Sequence, residues 1–203
     1  MTQIDTDQFT HIRRMRDNRF PYEIASILPG EFFVSRDPMI VYTVLGSCIS
    51  ACIRDPVAGV GGMNHFMLPE PKEKAYDSWG ESTRYGSYAM ESLINEILKR
   101  GGLKRRLEVK LFGAGKIYES KIDIGARNAE WVVTFLRTEG WVPSKTDLGD
   151  VFPRKVYYFT DSGRVLMKKI ERIKNQTIFD RESAYAAKIQ SLKQQPEEDV
   201  TLF

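Results

Sequence analysis

The 203-residue sequence is poor in the side chains that build disulfide frameworks and metal centres, with only two cysteines and two histidines. A disulfide-stapled secreted scaffold of small size carries more cysteines than this. Cys48 and Cys52 lie four residues apart. On one strand their Cα atoms would be about 13 Å apart, beyond the ~7 Å that a disulfide spans. We therefore expect both thiols to be free.

Long apolar runs and a strong excess of one charge are also missing. No stretch approaches the roughly 20 apolar residues of a membrane-spanning helix, and the polar N-terminus lacks the apolar centre of a signal peptide. The 30 basic and 27 acidic residues give a net charge of only +3, which disfavours a general polyanion binder. We expect a cytoplasmic protein that neither binds nucleic acid nor inserts into a membrane.

What the sequence does have is 42% hydrophobic residues, enough for one domain with a sizeable core. Aromatic and β-branched runs predict strands at residues 31–35, 39–45, 48–53, 58–69, 106–115 and 141–149, and a hairpin at 154–170. Apolar periodicity predicts helices over 87–100, 124–139 and, capped by Asp180, 181–193. Interspersed strands and helices favour a layered α/β (α+β) sandwich with mixed β-sheets and surface helices.

The composition along the chain predicts three segments. Residues 1–30 are interpreted as an irregular N-terminal arm, residues 31–175 as the folded domain, and residues 176–203 as a C-terminal helix with a polar tail. Residues 69–83 are polar and are predicted to form a long loop, which in compact domains is often a lid or a binding loop. The apolar tip of the tail, Leu202 and Phe203, is either a frayed end or a docking peptide.

Cysteine catalysis is the chemistry that the few reactive residues allow. It needs a thiolate, a base that generates it, and donors for an oxyanion. His11 lies in the predicted arm, and Cys52 lies in an apolar strand where a thiol is inert. Cys48 and His65 remain as the plausible pair. If the hairpin between them turns near Val57, antiparallel pairing places Cys48 opposite residue 65 or 66.

The turn in front of Cys48 supports this interpretation without deciding it. Gly46 and Ser47 allow a backbone bend, and such a bend presents N–H groups around Ser47 and Cys48 to an oxyanion. The simpler alternative is a buried apolar cysteine beside a structural histidine. Zinc binding by Cys48, Cys52 and His65 is disfavoured, because the sulfurs would be spread along a strand and no fourth ligand is near.

A glycine-rich stretch, LFGAGK at residues 111–116, invites a phosphate-binding interpretation. It lacks the spacing of a complete phosphate loop, and Lys116 is followed by isoleucine rather than serine or threonine. We therefore expect a structural turn at this position.

Five motifs occur in one order along the chain: TVLGSCISACIRDP, GGMNHFMLP, RYGSYAMESLI, KLFGAGKI and IGARNAEWV. Together they closely resemble CheD, the chemoreceptor glutamine deamidase family of bacterial chemotaxis, over about residues 31–170. The resemblance implies hydrolysis of chemoreceptor glutamine side chains to glutamate with release of ammonia, and no cofactor. It also implies a sandwich similar to the deamidating domain of cytotoxic necrotizing factor toxins.

The resemblance also assigns residues and partners. The catalytic Cys and His of the family map onto Cys48 (nucleophile) and His65 (general base and acid), and a family threonine maps onto Thr43, which would orient His65. The partners implied are the cytoplasmic helices of chemoreceptors and, in some bacteria, a CheC-like phosphatase. The alternative function is a non-catalytic or dual-role binding module that modulates such a phosphatase or the receptor array.

Overall fold

The computed structural model describes residues 7–68, 78–117, 123–171 and 176–192. In chain order, its strands and α-helices are β1 Arg13–Met15, β2 Ile24–Ser26, β3 Phe32–Ser35, β4 Ile40–Leu45, β5 Ile49–Asp55, β6 Val60–Asn64, α1 Ser78–Lys99, β7 Glu108–Gly113, α2 Ile124–Thr138, β8 Lys145–Leu148, β9 Arg154–Phe159, β10 Val165–Lys169 and α3 Gln176–Leu192. Among these residues no helix is long and apolar enough to cross a membrane.

Two five-stranded sheets, with strand orders β1-β2-β4-β9-β10 and β3-β6-β5-β7-β8, form the centre of the fold. Each is mixed, because β2 pairs with β4 and β7 pairs with β8 in parallel, while the other pairs are antiparallel. Side chains of both sheets share one core, and the Tyr158 hydroxyl donates a hydrogen bond to the Ile53 carbonyl of the other sheet. The predicted sandwich of mixed sheets is therefore confirmed.

Helices α1 and α2 form a layer beside the second sheet. The apolar stripe of α1, with Met90, Leu93 and Ile97, is buried where the helix contacts β3, β5 and β6. The predicted bounds of α2 were nearly right, whereas α1 begins at Ser78 rather than residue 87. The loop prediction was therefore wrong for residues 78–83, since extending a packed helix is easier than starting one. Residues 69–77 lie outside the described residues.

Within the segment before residue 31, which the sequence predicted to be irregular, residues 13–15 and 24–26 form strands. Strand β2 pairs in parallel with β4, and β1 pairs with β2. Phe9 and Ile12 are also buried in the main core. Each of these strands has three residues, which is too few to show the alternation of buried and exposed side chains that marks a strand. Their position follows instead from the pairing of β2 with β4. The wider division of the chain at residues 31 and 176 stays a prediction, and the tail lies outside the described residues.

Truncating Phe9 tests whether this segment belongs to the folding unit. Phe9 is 5% exposed, and its ring centroid lies 5.5 Å from that of Phe32 and 4.9 Å from that of Phe33. We expect Phe9→Ala to lower the free energy of unfolding by about 3 kcal/mol in urea titrations. The control Tyr88→Ala, at a site 71% exposed, should change it by less than about 0.5 kcal/mol. A Phe9 variant as stable as the control would make the segment a detachable arm.

Candidate active site

The two sheets are joined by a tight crossover at Gly46, Ser47 and Cys48. Strand β4 belongs to one sheet and β5 to the other, so the chain must bend between them. A Cβ atom on Gly46 would lie 2.4 Å from the Cδ1 atom of Ile117 and 2.7 Å from a carboxylate oxygen of Glu182. A side chain at position 46 would therefore displace the side chains of Ile117 and Glu182.

The crossover is held by the glycine-rich turn that follows β7. The N–H of Ala114 donates to the Cys48 carbonyl, and the N–H of Gly115 donates to the Gly46 carbonyl, both at 2.8 Å. Gly113 has φ +120°, and a Cβ atom there would lie 2.1 Å from the Cys48 carbonyl oxygen. The LFGAGK stretch thus serves as the predicted structural turn, and it fixes the backbone around Cys48.

The carbonyl of Ser47 is held by a residue that sequence reasoning missed. Asn128 of α2 is fully buried, and its side-chain amide donates to the Ser47 carbonyl at 2.9 Å. The carbonyl oxygen of the same side chain accepts from the Leu68 N–H at 3.0 Å. A buried asparagine within an amphipathic helix was the available signal, because buried amides require hydrogen-bond partners.

His65 lies just beyond β6 and is oriented by Thr43 of β4. The Thr43 hydroxyl donates to the Ile27 carbonyl at 2.8 Å and also lies 2.8 Å from His65 Nδ1. Because a hydroxyl carries one proton, the second contact requires His65 to donate from Nδ1. That tautomer leaves a lone pair on Nε2, which is buried without a hydrogen-bond partner. The arrangement fits a general base.

The structure brings Cys48 and His65 together in a register that differs slightly from the prediction. Ile49 pairs with Phe66, which places Cys48 opposite residue 67 and makes His65 a diagonal neighbour on the same face. Cys48 Sγ, a His65 ring nitrogen and a Glu182 carboxylate oxygen lie within 4.8 Å of one another. The predicted register was therefore wrong by at least one residue, although the two side chains meet.

Both members of the pair are buried and uncharged. Burial, with the nearby Glu182 carboxylate and a hydrogen bond to it, holds the pKa of the Cys48 thiol well above its ordinary value. Burial also lowers the pKa of His65 to about 3. The resting pair is therefore a thiol beside a neutral imidazole. Cys52 is a free thiol buried within β5, and burial raises its pKa too.

The N–H groups of the crossover converge on Glu182 of α3, a residue that sequence reasoning also missed. One carboxylate oxygen accepts from the N–H groups of Gly46 and Cys48 at 2.9 and 3.4 Å. The other accepts from the N–H and hydroxyl of Ser47 at 3.1 and 2.7 Å. The predicted donors, Ser47 and Cys48, thus form an anion-binding nest together with Gly46. Glu182 is only 4% exposed.

A metal ion is an alternative ligand for the side chains at this site. Cys48, His65 and Glu182 are the group of three possible ligands found in the described part of the chain, and zinc is the metal that such a set suits. The earlier candidate Cys52 is not in this group. Both Glu182 oxygens already accept hydrogen bonds from N–H and O–H donors, which favours an anion-binding site.

A buried cysteine, a histidine oriented by a third group, and converging N–H donors are the groups that cysteine-dependent acyl transfer requires. Comparisons with known proteins give the family. The family model described as CheD chemotactic sensory transduction matches residues 67–169. The chain belongs to the CheD family, as its motifs indicated.

Several curated relatives are similar over most of their length. Probable chemoreceptor glutamine deamidase CheD 1 of Dechloromonas aromatica (strain RCB) is 49% identical over 90% of this chain and 91% of that protein. Probable chemoreceptor glutamine deamidase CheD of Herminiimonas arsenicoxydans is 50% identical over 86% of this chain and 87% of that protein. The protein of the same name from Halorhodospira halophila (strain DSM 244 / SL1) is 47% identical over 96% and 91%.

Among solved structures, the Bacillus licheniformis hypothetical protein YfiH aligns with 59% of this chain and 49% of that chain, at 13% identity and a TM-score of 0.36. A likeness of this size carries no functional argument.

The tautomer and charge of His65 can be tested by nitrogen NMR. We expect the ring to be neutral and protonated on Nδ1 at about pH 5, well below the usual histidine pKa, because its own pKa is about 3. Below about pH 6.5 the histidine binds a proton in the unfolded chain but not in the folded site. The free energy of unfolding should therefore fall as the pH drops below about 6.5. His65→Gln assigns the signal and should weaken this acid sensitivity. A ring protonated on Nε2, or titrating near neutrality, would contradict the geometry.

Proposed function

We propose that the chain hydrolyses glutamine side-chain amides of chemoreceptors to glutamate and ammonia, with Cys48 as nucleophile. The observation that carries the proposal is the hydrogen-bond chain from Ile27 through Thr43 to His65, which leaves the Nε2 lone pair free. A nitrogen of the same ring lies within 4.8 Å of the buried Cys48 Sγ. The printed names of the relatives, chemoreceptor glutamine deamidase, supply the substrate class.

The first half of the reaction forms a thioester. His65 Nε2 takes the Cys48 proton as the sulfur attacks the amide carbon, since both groups are uncharged at rest. The N–H groups of Gly46, Ser47 and Cys48 stabilise the negative charge that develops on the amide oxygen. The protonated imidazole then gives its proton to the departing nitrogen, and ammonia leaves.

The second half restores the enzyme. A water molecule gives a proton to His65 and attacks the thioester carbon, and the sulfur leaves as the thiol after it recovers that proton. One amide and one water thus become one carboxylic acid and one ammonia. Each turnover adds a negative charge to the receptor, which changes helix energetics by a few tenths of a kcal/mol per like-charged pair.

The wider role stays a prediction. Action on receptor cytoplasmic helices places the protein in the cytoplasm and in chemotaxis, and a CheC-like phosphatase is a further partner that the family resemblance implies. The rival function is a binding module that acts without catalysis. A binding module requires no free base near Cys48, whereas His65 Nε2 is buried and has no hydrogen-bond partner in the described structure.

The two cysteines provide a matched test of the nucleophile. We expect Cys48→Ala to lower the rate of receptor-fragment deamidation at least ~1,000-fold, as loss of a nucleophile does elsewhere. Cys52→Ala removes a thiol four residues away in the core of β5 and should keep most of the activity. Mass spectrometry of the fragment, at defined glutamines, measures both. Undiminished deamidation by the Cys48 variant would refute the proposed mechanism.

Thr43 is a positioning residue, and its hydroxyl can be removed without changing the shape of the side chain. We expect Thr43→Val to lower kcat roughly 10- to 100-fold, because one hydrogen bond to the histidine is lost, and to leave KM little changed. Thr43→Ser keeps the hydroxyl and should restore most of the rate. If the serine variant were as slow as the valine variant, the methyl group rather than the hydrogen bond would matter.

A further inference from the structure

Helix α3 buries one narrow face against the catalytic domain. That face consists of residues at spacings of four, three and four, namely Ile178, Glu182, Tyr185 and Ile189. Among the residues whose side chains are described, the intervening positions are exposed or only partly buried. Such spacing is the pattern of an amphipathic helix lying in a groove, with one residue of each turn acting as an anchor.

Among these four described residues Glu182 is the charged one, and its carboxylate enters the catalytic site. The Glu182 carboxylate occupies the nest formed by Gly46, Ser47 and Cys48 and accepts hydrogen bonds from four donors there. One of its oxygens also lies within 4.8 Å of both Cys48 Sγ and a His65 ring nitrogen. A glutamine attacked by Cys48 would place its amide in the same position, with its oxygen on the same donors.

Glutamate is also the product of glutamine hydrolysis. A glutamate on a helix, with its carboxylate in the oxyanion nest, therefore has the chemistry and the size of the product side chain still bound to the enzyme. Donors prepared for an oxyanion bind a carboxylate well, because hydrogen bonds to a charged acceptor are about twice as strong as neutral ones.

The neighbouring buried residues of α3 also lie against residues around the site. Tyr185 packs on Gly30, where a Cβ atom would lie 2.7 Å from the tyrosine ring, and its hydroxyl is hydrogen-bonded to that of Tyr85 on α1. Ile178 lines a small cavity of about 30 Å³ together with Thr43 and His65. With α3 in place, Cys48 is 0% exposed and His65 is 2% exposed, so a receptor segment has no path to the thiol.

We propose that α3 occupies the groove in which the substrate helix binds, with Glu182 held in the glutamine subsite as a tethered product, and that a receptor helix binds by displacing α3. This inference rests on the proposed deamidase function. It makes α3 an intramolecular competitor, whose tether gives it an effective concentration on the order of millimolar. Departure of the Glu182 charge also removes one of the causes that raise the pKa of the Cys48 thiol.

The buried residues of α3 also predict which residues the substrate helix carries around its target glutamine. Relative to the target glutamine, which takes the place of Glu182, an aliphatic residue is expected four positions before it, in the place of Ile178. An aromatic or apolar residue is expected three positions after it and an aliphatic one seven positions after it, in the places of Tyr185 and Ile189. The substrate class is therefore an amphipathic helix whose glutamine lies on the apolar face.

Glu182→Gln in the full chain tests the proposal most sharply. The substitution puts an amide into the subsite, and we expect the protein to convert it back to glutamate, with one water consumed and one ammonia released. Intact-mass and peptide mass spectrometry follow position 182 over time, with a chelator present to exclude metal-assisted hydrolysis. The matched control is the double variant Glu182→Gln/Cys48→Ala, in which the amide should persist.

The outcomes separate this inference from the proposed function. Cys48-dependent conversion at position 182 supports the placement of α3 in the substrate groove. A persistent amide at position 182, in a protein that deamidates a receptor fragment, overturns the inference and leaves the proposed function standing. If wild-type protein deamidates no receptor fragment and the amide also persists, both fail.

A second pair of variants tests whether Glu182 limits access to Cys48. Glu182→Ala removes the carboxylate from the nest, and Asp180→Ala removes an exposed carboxylate from the same helix. We expect Glu182→Ala to alkylate at Cys48 with iodoacetamide at least 10-fold faster than wild type, and to deamidate a receptor fragment faster at low substrate concentration. Asp180→Ala should match wild type. Equal alkylation rates in all three proteins, each shown to be folded by circular dichroism, would overturn the proposal.

Discussion

The site depends on one backbone constraint, the crossover at Gly46, Ser47 and Cys48. Its three carbonyls are held by Ala114, Gly115 and Asn128, which leaves the three N–H groups directed at one anion. Because β4 and β5 belong to different sheets, the bend is required by the sandwich itself. The same bend positions Cys48 and forms the anion-binding nest, so the fold and the proposed chemistry depend on one set of hydrogen bonds.

In the resting site, neither of the two reactive side chains carries a charge. The thiol of Cys48 and the imidazole of His65 are both buried and neutral, and the one anion present belongs to Glu182. A buried neutral pair avoids the cost of an unsolvated ion pair. In the proposed mechanism, catalysis needs a substrate whose amide replaces the carboxylate, because negative charge develops at the position to which the N–H donors already point. In this proposal, the groove is occupied either by α3 or by the substrate helix.

The sequence predicted the central strands, α2 and the meeting of Cys48 with His65, because each follows from local pattern. Apolar runs mark β4 and β5, and the hairpin length sets the pairing to within about a residue. Strands β1 and β2 were missed because three-residue strands carry no period. Glu182 was missed because it is 117 positions from His65 in sequence (182 − 65), although its place between Ile178 and Tyr185 marked it as buried.

The central claim is that the reaction passes through a thioester on Cys48. The most direct measurement is acid-quench peptide mass spectrometry of the enzyme during turnover of a receptor fragment, in a Cys52→Ala background that leaves one thiol in the chain. The account predicts a covalent adduct of the receptor peptide on Cys48 that forms and decays with deamidation. Two results together would contradict it. The double variant Cys48→Ala/Cys52→Ala would deamidate the fragment at an undiminished rate, and the Cys52→Ala protein would show no adduct at any time during turnover.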